Sequence, residues 1–142
     1  MEPARQGRER CRYDGDTRLV AGCLPVTSDG RLLLIGSVKH SDWLLPKGGW
    51  DSDETAAEAA VREAYEEAGV RGMVTAELGP HEIVSSRGNK SRAIMFTLLI
   101  SEVLDVWPEK HRRRKLVSLH EAFACCTRPE VISVLQAYAE LL

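Results

Sequence analysis

Aromatic side chains are scarce: three Trp, three Tyr and two Phe make up 6% of 142 residues. A nucleoside-stacking platform is therefore hard to assign, with Tyr13, Trp43, Trp50 and Phe96 as the candidates. No apolar run reaches the roughly 18 residues that a membrane helix needs. The opening "MEPARQGRERCRYDGD" is polar and charged, unlike a secretory signal. Cysteine is also thin. Cys11, Cys23, Cys125 and Cys126 form no C-x-x-C pair and lack the density of a disulfide scaffold, which argues against structural zinc and disulfide staples. Together these absences predict a soluble protein of a reducing compartment, cytoplasmic and extending to the nucleus.

What is present is a balanced chain, 44% hydrophobic and 28% charged, of a size that buries its own core as one domain. The net charge of −2 hides segregation, because "KHRRRK" at 110–115 carries only positive charge. Such a run is read as a solvated face, a localisation signal or a polyanion site. "RLVAGCLPV" and "RLLLIGSV" flank a "TSDG" turn and predict a hairpin. A second hairpin is predicted around "RGNK", and "SLHEAFACC" and "RPEVISVLQAYAELL" have helical spacing. The order predicts an α+β or α/β/α layered domain over residues 13–142, behind a flexible arm at 1–12.

The densest acid lies between Asp51 and Glu67. Asp51, Asp53, Glu54, Glu58, Glu63, Glu66 and Glu67 share that stretch with a single basic residue, Arg62. Thr55 and Glu58 spell a capping box and Gly69 suits a left-handed end, so a helix is predicted from Ala56 to Ala68. Ala57, Ala60, Val61, Ala64, Tyr65 and Ala68 would form its buried stripe. On such a helix Glu63, Glu66 and Glu67 fall within one arc of about 100°. Like charges at i and i+4 disfavour an open helix by roughly 0.2–0.5 kcal/mol, so helix stability does not account for them. A hard divalent cation bridging carboxylates to phosphates does; a soluble helix that is simply Glu-rich is the competing reading. The preceding "LPKGGW" reads as a loop whose backbone at Lys47, Gly48 and Gly49 approaches a metal or phosphate closely, although a plain turn also uses Pro and Gly.

Taken together, Gly48, Glu54 and "REAYEEAGV" at 62–70 resemble the Nudix box, G-x5-E-x7-R-E-U-x-E-E-x-G-U, with U a bulky aliphatic residue. Ala64 departs from the pattern; every charged position agrees. The resemblance implies an α/β/α sandwich with a mixed sheet and a loop-helix-loop box that binds Mg²⁺ or Mn²⁺ and hydrolyses a nucleoside diphosphate linked to another moiety. It implies Glu63, Glu67 and the Lys47 carbonyl as metal ligands, with Glu66 deprotonating or orienting the attacking water and itself near the metal. Glu54 and Arg62 are implied as a supporting pair, and Gly69 as the end of the box.

Outside the box, "RLVAGC", "GSVKHSDWLLPKGGW", "ISEVLDVW" and "HRRRK" resemble the diphosphoinositol polyphosphate phosphohydrolase branch, whose members also cleave diadenosine polyphosphates. The implied substrate contacts are Arg18, Ser37, Lys39, Lys47, Gly48, Gly49, Lys90, Arg92, Arg128 and, in a basic segment after the last strand, Arg112, Arg114 and Lys115. Cations dispersed this widely suit a small, densely phosphorylated anion. The branch carries an aromatic residue just after the basic segment, where this chain has Leu116. The expectation is a monomeric, Mg²⁺-dependent hydrolase without membrane or nucleic-acid partners. ADP-ribose or NADH pyrophosphatase and mRNA decapping are the alternatives within the class. A non-catalytic polyanion-binding module is the alternative outside it.

Overall fold

A computed structural model describes residues 1–142. Apolar residues alternate along the central strands, and that alternation sets the layers. Strand β2 spans Thr17–Val26, β3 Leu32–Gly36, β6 Val70–Val84 and β7 Lys90–Val103. Short strands β1 Arg12–Asp14, β4 Trp43–Leu44, β5 Lys47–Gly49 and β8 Arg114–Val117 complete one mixed sheet of eight strands. β2 and β7 run parallel from Arg18↔Ser91 to Val26↔Leu99, and the other pairings are antiparallel.

Val20 and Leu24 of β2, Leu32 and Leu34 of β3, and Ala93 and Met95 of β7 point to one face. There they pack on helices α2, Leu119–Cys125, and α3, Pro129–Leu141. The intervening Ala21, Cys23, Leu33, Ile35, Phe96 and Leu98 point to the other face, against α1, Ala56–Glu63, and the turn that follows it. The α/β/α class and both hairpins agree with the sequence reading.

The acidic helix differs from its expected form in two respects. It is α-helical only to Glu63, and Ala64–Ala68 form a π-helical turn that Gly69 closes in the left-handed conformation (φ 64°). Ala59 joins the buried stripe, while Ala57 and Val61 are only half-buried at its margins. Small side chains here let α1 lie close on β2, which brings the carboxylates of its polar edge against the sheet.

Two segments read as irregular are strands. Lys47–Gly49 pairs with β2 (Gly22↔Lys47, Ala21↔Gly48, Val20↔Gly49), so the glycine-rich loop is an ordered edge of the sheet. The second half of the basic run, Arg114–Val117, pairs with β3 and is itself a strand rather than a segment after the last one. No helix is long and apolar enough to cross a membrane.

Candidate functional site

Arg62 organises the site. Its Nη2 donates to Glu54 Oε1 at 2.6 Å and to the Gly49 carbonyl at 2.8 Å, and its Nε donates to Glu54 Oε2 at 3.1 Å. Nη1 reaches Glu63 Oε1 at 3.0 Å and Glu66 Oε2 at 3.4 Å. One guanidinium thus links β5, the loop before α1 and the helix itself. Burial works against its charge, yet hydrogen bonding to Glu54 and the nearby Glu63 and Glu66 hold the guanidinium pKa above its ordinary value. Glu54 is fixed further by the Asp51 N–H at 3.1 Å, and these bonds hold its carboxyl below the usual range despite burial.

Glu66 and Glu67 flank the buried Glu63. Burial, with Glu66 adding to it and Arg62 opposing it, raises the Glu63 carboxyl to about 7. Burial first, and then the Glu63 charge, raise Glu67 well above the ordinary value, although Lys47 N–H donates to its Oε1 at 3.1 Å. The two raised carboxyls are the electrostatic cost of crowding acid against a sheet. Gly48 makes the crowding possible, since a Cβ there would overlap the Glu63 carboxylate.

No three His, Cys, Asp or Glu side chains are gathered into a ready-made metal cage, and Arg62 is bonded to Glu63 and Glu66 of the three carboxylates expected together. The donor chemistry nevertheless fits a hard divalent cation. The side-chain donors are carboxylates, two of them pushed toward the protonated form chiefly by burial, and Mg²⁺ needs only one or two with water and phosphate completing its shell.

The C-terminal end of the box is locked by groups beyond it. Trp107 Nε1–H donates to the Glu67 carbonyl at 3.2 Å, and Glu109 N–H to the Glu66 carbonyl at 3.0 Å. Arg114 Nη1 donates to the Ala68 and Leu104 carbonyls at 3.1 and 3.0 Å while its guanidinium lies 3.8 Å from the Trp107 ring centre. Arg112 bonds Glu109 at 2.8 Å and the Gly36 carbonyl at 3.1 Å. Arg112 and Arg114, expected at a substrate, are therefore engaged by the protein's own acceptors.

Arg18 lies across from the carboxylates. It borders a polar cleft of about 320 Å³ together with Arg8, Cys11, Gly49, Glu63 and Glu66. Its Nε–H is shielded from water and has no acceptor, and its Nη2 meets only the Cys11 sulfur at 3.8 Å. The Lys47 side chain instead lines a cavity of about 20 Å³ on the α3 side with His81 and Glu130.

The other expected cations are dispersed. Arg92 is paired with Glu82 at 2.7 Å and Asp14 at 3.0 Å, and Lys90 is exposed at the start of β7. Ser37, exposed Lys39 and His40 form the bend before β4, with His40 N–H donating to Ser37 Oγ at 3.3 Å. Arg128 Nε ties that bend to the start of α3 by a 2.8 Å bond to Asp42. Lys115 Nζ and the Arg113 guanidinium lie 4.3 and 4.6 Å from the Trp43 ring centre. Arg113 was not singled out in the sequence; it lies just before β8, and the missing side chain of Gly36 leaves it room beside Trp43.

The N-terminal segment, expected as an arm, crosses the acid cluster. Arg5 N–H donates to Glu66 Oε2 at 3.2 Å, and its guanidinium meets Asp51 at 3.1 Å and Asp53 at 2.9 Å. These bonds join residues more than 40 positions apart and leave no local pattern to read.

A NUDIX domain family model matches residues 16–136. Nudix hydrolase 16, mitochondrial, of Arabidopsis thaliana is 42% identical over 89% of this chain and 82% of its own length. Nudix hydrolase 17, mitochondrial, of the same plant is 40% identical over 87% and 74%. Among solved structures, a NUDIX hydrolase from Nitrosomonas europaea superposes with a TM-score of 0.75, covering 87% of this chain and 89% of that one at 17% identity, a likeness of fold. The cytoplasmic and nuclear location expected from composition is corrected by these comparisons, since relatives 36–42% identical to this chain are named as mitochondrial proteins. The intact charged positions of the box, the sandwich that presents them and the match across most of the chain lead to one assignment: this protein belongs to the Nudix family and is a hydrolase of pyrophosphate linkages.

Proposed function

We propose that the protein is a Mg²⁺-dependent hydrolase that removes the β-phosphate of diphosphoinositol polyphosphates and accepts diadenosine polyphosphates as secondary substrates. The observation that carries the reading is Arg18, a shielded guanidinium with an unused Nε–H, facing Glu63 and Glu66 across one polar cleft. A phosphate placed in that cleft would offer a charged acceptor to the end of the Arg18 guanidinium, where Nη2 meets only the Cys11 sulfur. Glu63, Glu67 and the Lys47 carbonyl would hold the cation, with Glu66 beside them. When bound, the cation activates water and offsets charge on the phosphoryl oxygens. Glu66 orients and deprotonates the attacking water, while Arg62 and Glu54 keep the helix and β5 in register.

The substrate class draws on the aromatic residues. Trp50 has Arg12 over its ring at 4.5 Å, Trp43 has Arg113 and Lys115 over its ring, and Phe96 is 8% exposed. A nucleobase on either tryptophan would share the ring with a cation, and Tyr13, 53% exposed, is the candidate without one; a phosphate-rich cyclitol gains from those cations. Lys39, Lys90, Lys115 and Arg128 supply further positive charge to such an anion, along with the backbone of Gly48 and Gly49.

The test is product release with Mg²⁺ on a matched panel: a diphosphoinositol pentakisphosphate, diadenosine hexaphosphate, ADP-ribose, NADH and capped RNA. The inositol substrate is expected to have the highest kcat/KM, and Arg18→Ala to raise its KM roughly tenfold, the loss of one charge-assisted phosphate contact. Preference for ADP-ribose or NADH would keep the reaction and remove the substrate class.

A further inference from the structure

We propose that the N-terminal segment from Glu2 to Arg10 is an intramolecular counter-ion strap, which competes with a divalent cation for the acid cluster and is released when the cation binds. The proposal rests on the reading of that cluster as a cation site.

Two guanidinium groups serve the cluster, and they are held very differently. Arg62 is 16% exposed and forked into Glu54 and the Gly49 carbonyl, so removing it would dismantle the box. Arg5 is 33% exposed and belongs to a stretch, residues 1–7, without helix or strand. Its Nη1 lies between Asp51 and Asp53, its Nη2 is 4.0 Å from Glu54, and its backbone N–H occupies an oxygen of Glu66. The remaining ties are polar as well: Ser52 N–H donates to the Arg10 carbonyl at 2.8 Å, Arg10 Nη1 meets Asp53 at 3.4 Å, and Tyr65 Oη donates to the Glu2 carbonyl at 2.5 Å. Met1 is 77% exposed and adds no apolar burial to these ties.

A segment held by solvent-accessible ion pairs is held weakly, because each pair contributes little and is screened by salt. A dication ligated by Glu66 draws on the same carboxylate that Arg5 N–H bonds through Oε2, and it repels the Arg5 guanidinium. Strap and cation therefore compete at the acid cluster. In the cation-free protein the strap neutralises acid that would otherwise repel itself; with the cation bound that task is gone.

Titration calorimetry with Mn²⁺ tests this on the full chain, comparing wild type with Arg5→Ala, Arg10→Ala and Glu67→Gln. Arg5→Ala is expected to tighten Mn²⁺ roughly fivefold, about 1 kcal/mol by RT ln K. Arg10→Ala removes the same charge from the same segment but loses only one exposed ion pair, to Asp53, and none to Asp51 or Glu54, so it is expected to change affinity less than twofold. Trypsin cleavage of wild type after Arg5, Arg8 or Arg10 is expected to accelerate on adding Mn²⁺. If Glu67→Gln abolishes binding but Arg5→Ala leaves it unchanged, or if Mn²⁺ protects the segment, the strap is overturned while the cation site stands. If wild type binds no Mn²⁺, or Glu67→Gln binds it as wild type does, both readings fall.

Discussion

Arg62 is the residue on which the acid cluster depends without a cation, because its partners Glu54, Glu63 and Glu66 are all buried. Arg62→Ala strands these carboxylates and is expected to reduce stability by about 3–5 kcal/mol in urea unfolding without metal. Arg62→Lys keeps a charge but loses the fork, so it should recover only part of that loss. An Arg62→Ala protein as stable as wild type would show that the cluster tolerates its own repulsion. Glu66→Gln asks a different question, since amide and carboxylate are nearly isosteric. It is expected to lower kcat by roughly 10²–10⁴-fold, the usual range for a lost general base, with an unchanged circular dichroism spectrum. Retained turnover would remove Glu66 from its proposed role. At this scale the sequence was informative where capping offsets are fixed, as for Thr55 with Glu58, and where the box resemblance paired Glu54 of the preceding loop with Arg62 of the helix. A run of like-charged neighbours does not show which partner each meets: Arg112 and Arg114 donate to the Gly36 and Ala68 carbonyls, while Arg113 and Lys115 lie over Trp43.

Among the elements, α1 and its π-helical turn carry the most consequence. A π turn is uncommon and is found mostly as a single turn within a helix, frequently at functional sites. Here it ends at Gly69, whose N–H bonds the Tyr65 carbonyl at 3.1 Å and whose missing Cβ leaves room for the Trp107 ring. Gly69→Ala meets both the left-handed backbone and that ring. The backbone alone contributes about 1–2 kcal/mol of destabilisation, and displacement of Trp107 adds to it. A denaturant midpoint shifted by less than that would show that Trp107 does not hold the turn. The helix start and the Gly69 end were legible because caps are local chemistry. The π turn was not, since "AYEEA" has ordinary helical spacing and its wider turn is known only from the bonding of its backbone. Strand β5 was hidden for a related reason: Lys47, Gly48 and Gly49 have low strand propensity and are held in the sheet by pairing with β2.

For the molecule as a whole, crowded acid couples stability to both pH and cation. The Glu63 carboxyl titrates near 7 when folded, against an ordinary 4.5, so between those values the folded chain binds more protons than the unfolded one. Stability contributed by that bound proton is full below about 4.5 and is lost as pH rises through about 7. Glu67 is displaced in the same direction by burial and by Glu63. Glu54 is displaced oppositely, and its contribution is present above its ordinary 4.5 and lost only as pH falls below that value. The Tm of the cation-free protein is therefore expected to fall as pH is raised from about 5 to about 8. Mg²⁺ prefers the ionised carboxylates, so its increment in Tm should grow over the same interval, a linkage that thermal scans with and without Mg²⁺ measure directly. The layered fold was legible from alternation along β2, β3 and β7, but this coupling was not. It depends on how deeply α1 sinks onto the sheet and on Arg5 reaching back across the chain to Glu66, neither of which has a local signature. Glu63→Gln separates the two contributions, because it cannot ionise. It should reduce the cation-free pH dependence to the part that buried Glu67 carries and shrink the Mg²⁺ increment together, and an increment that persists unchanged with pH would place the cation away from Glu63.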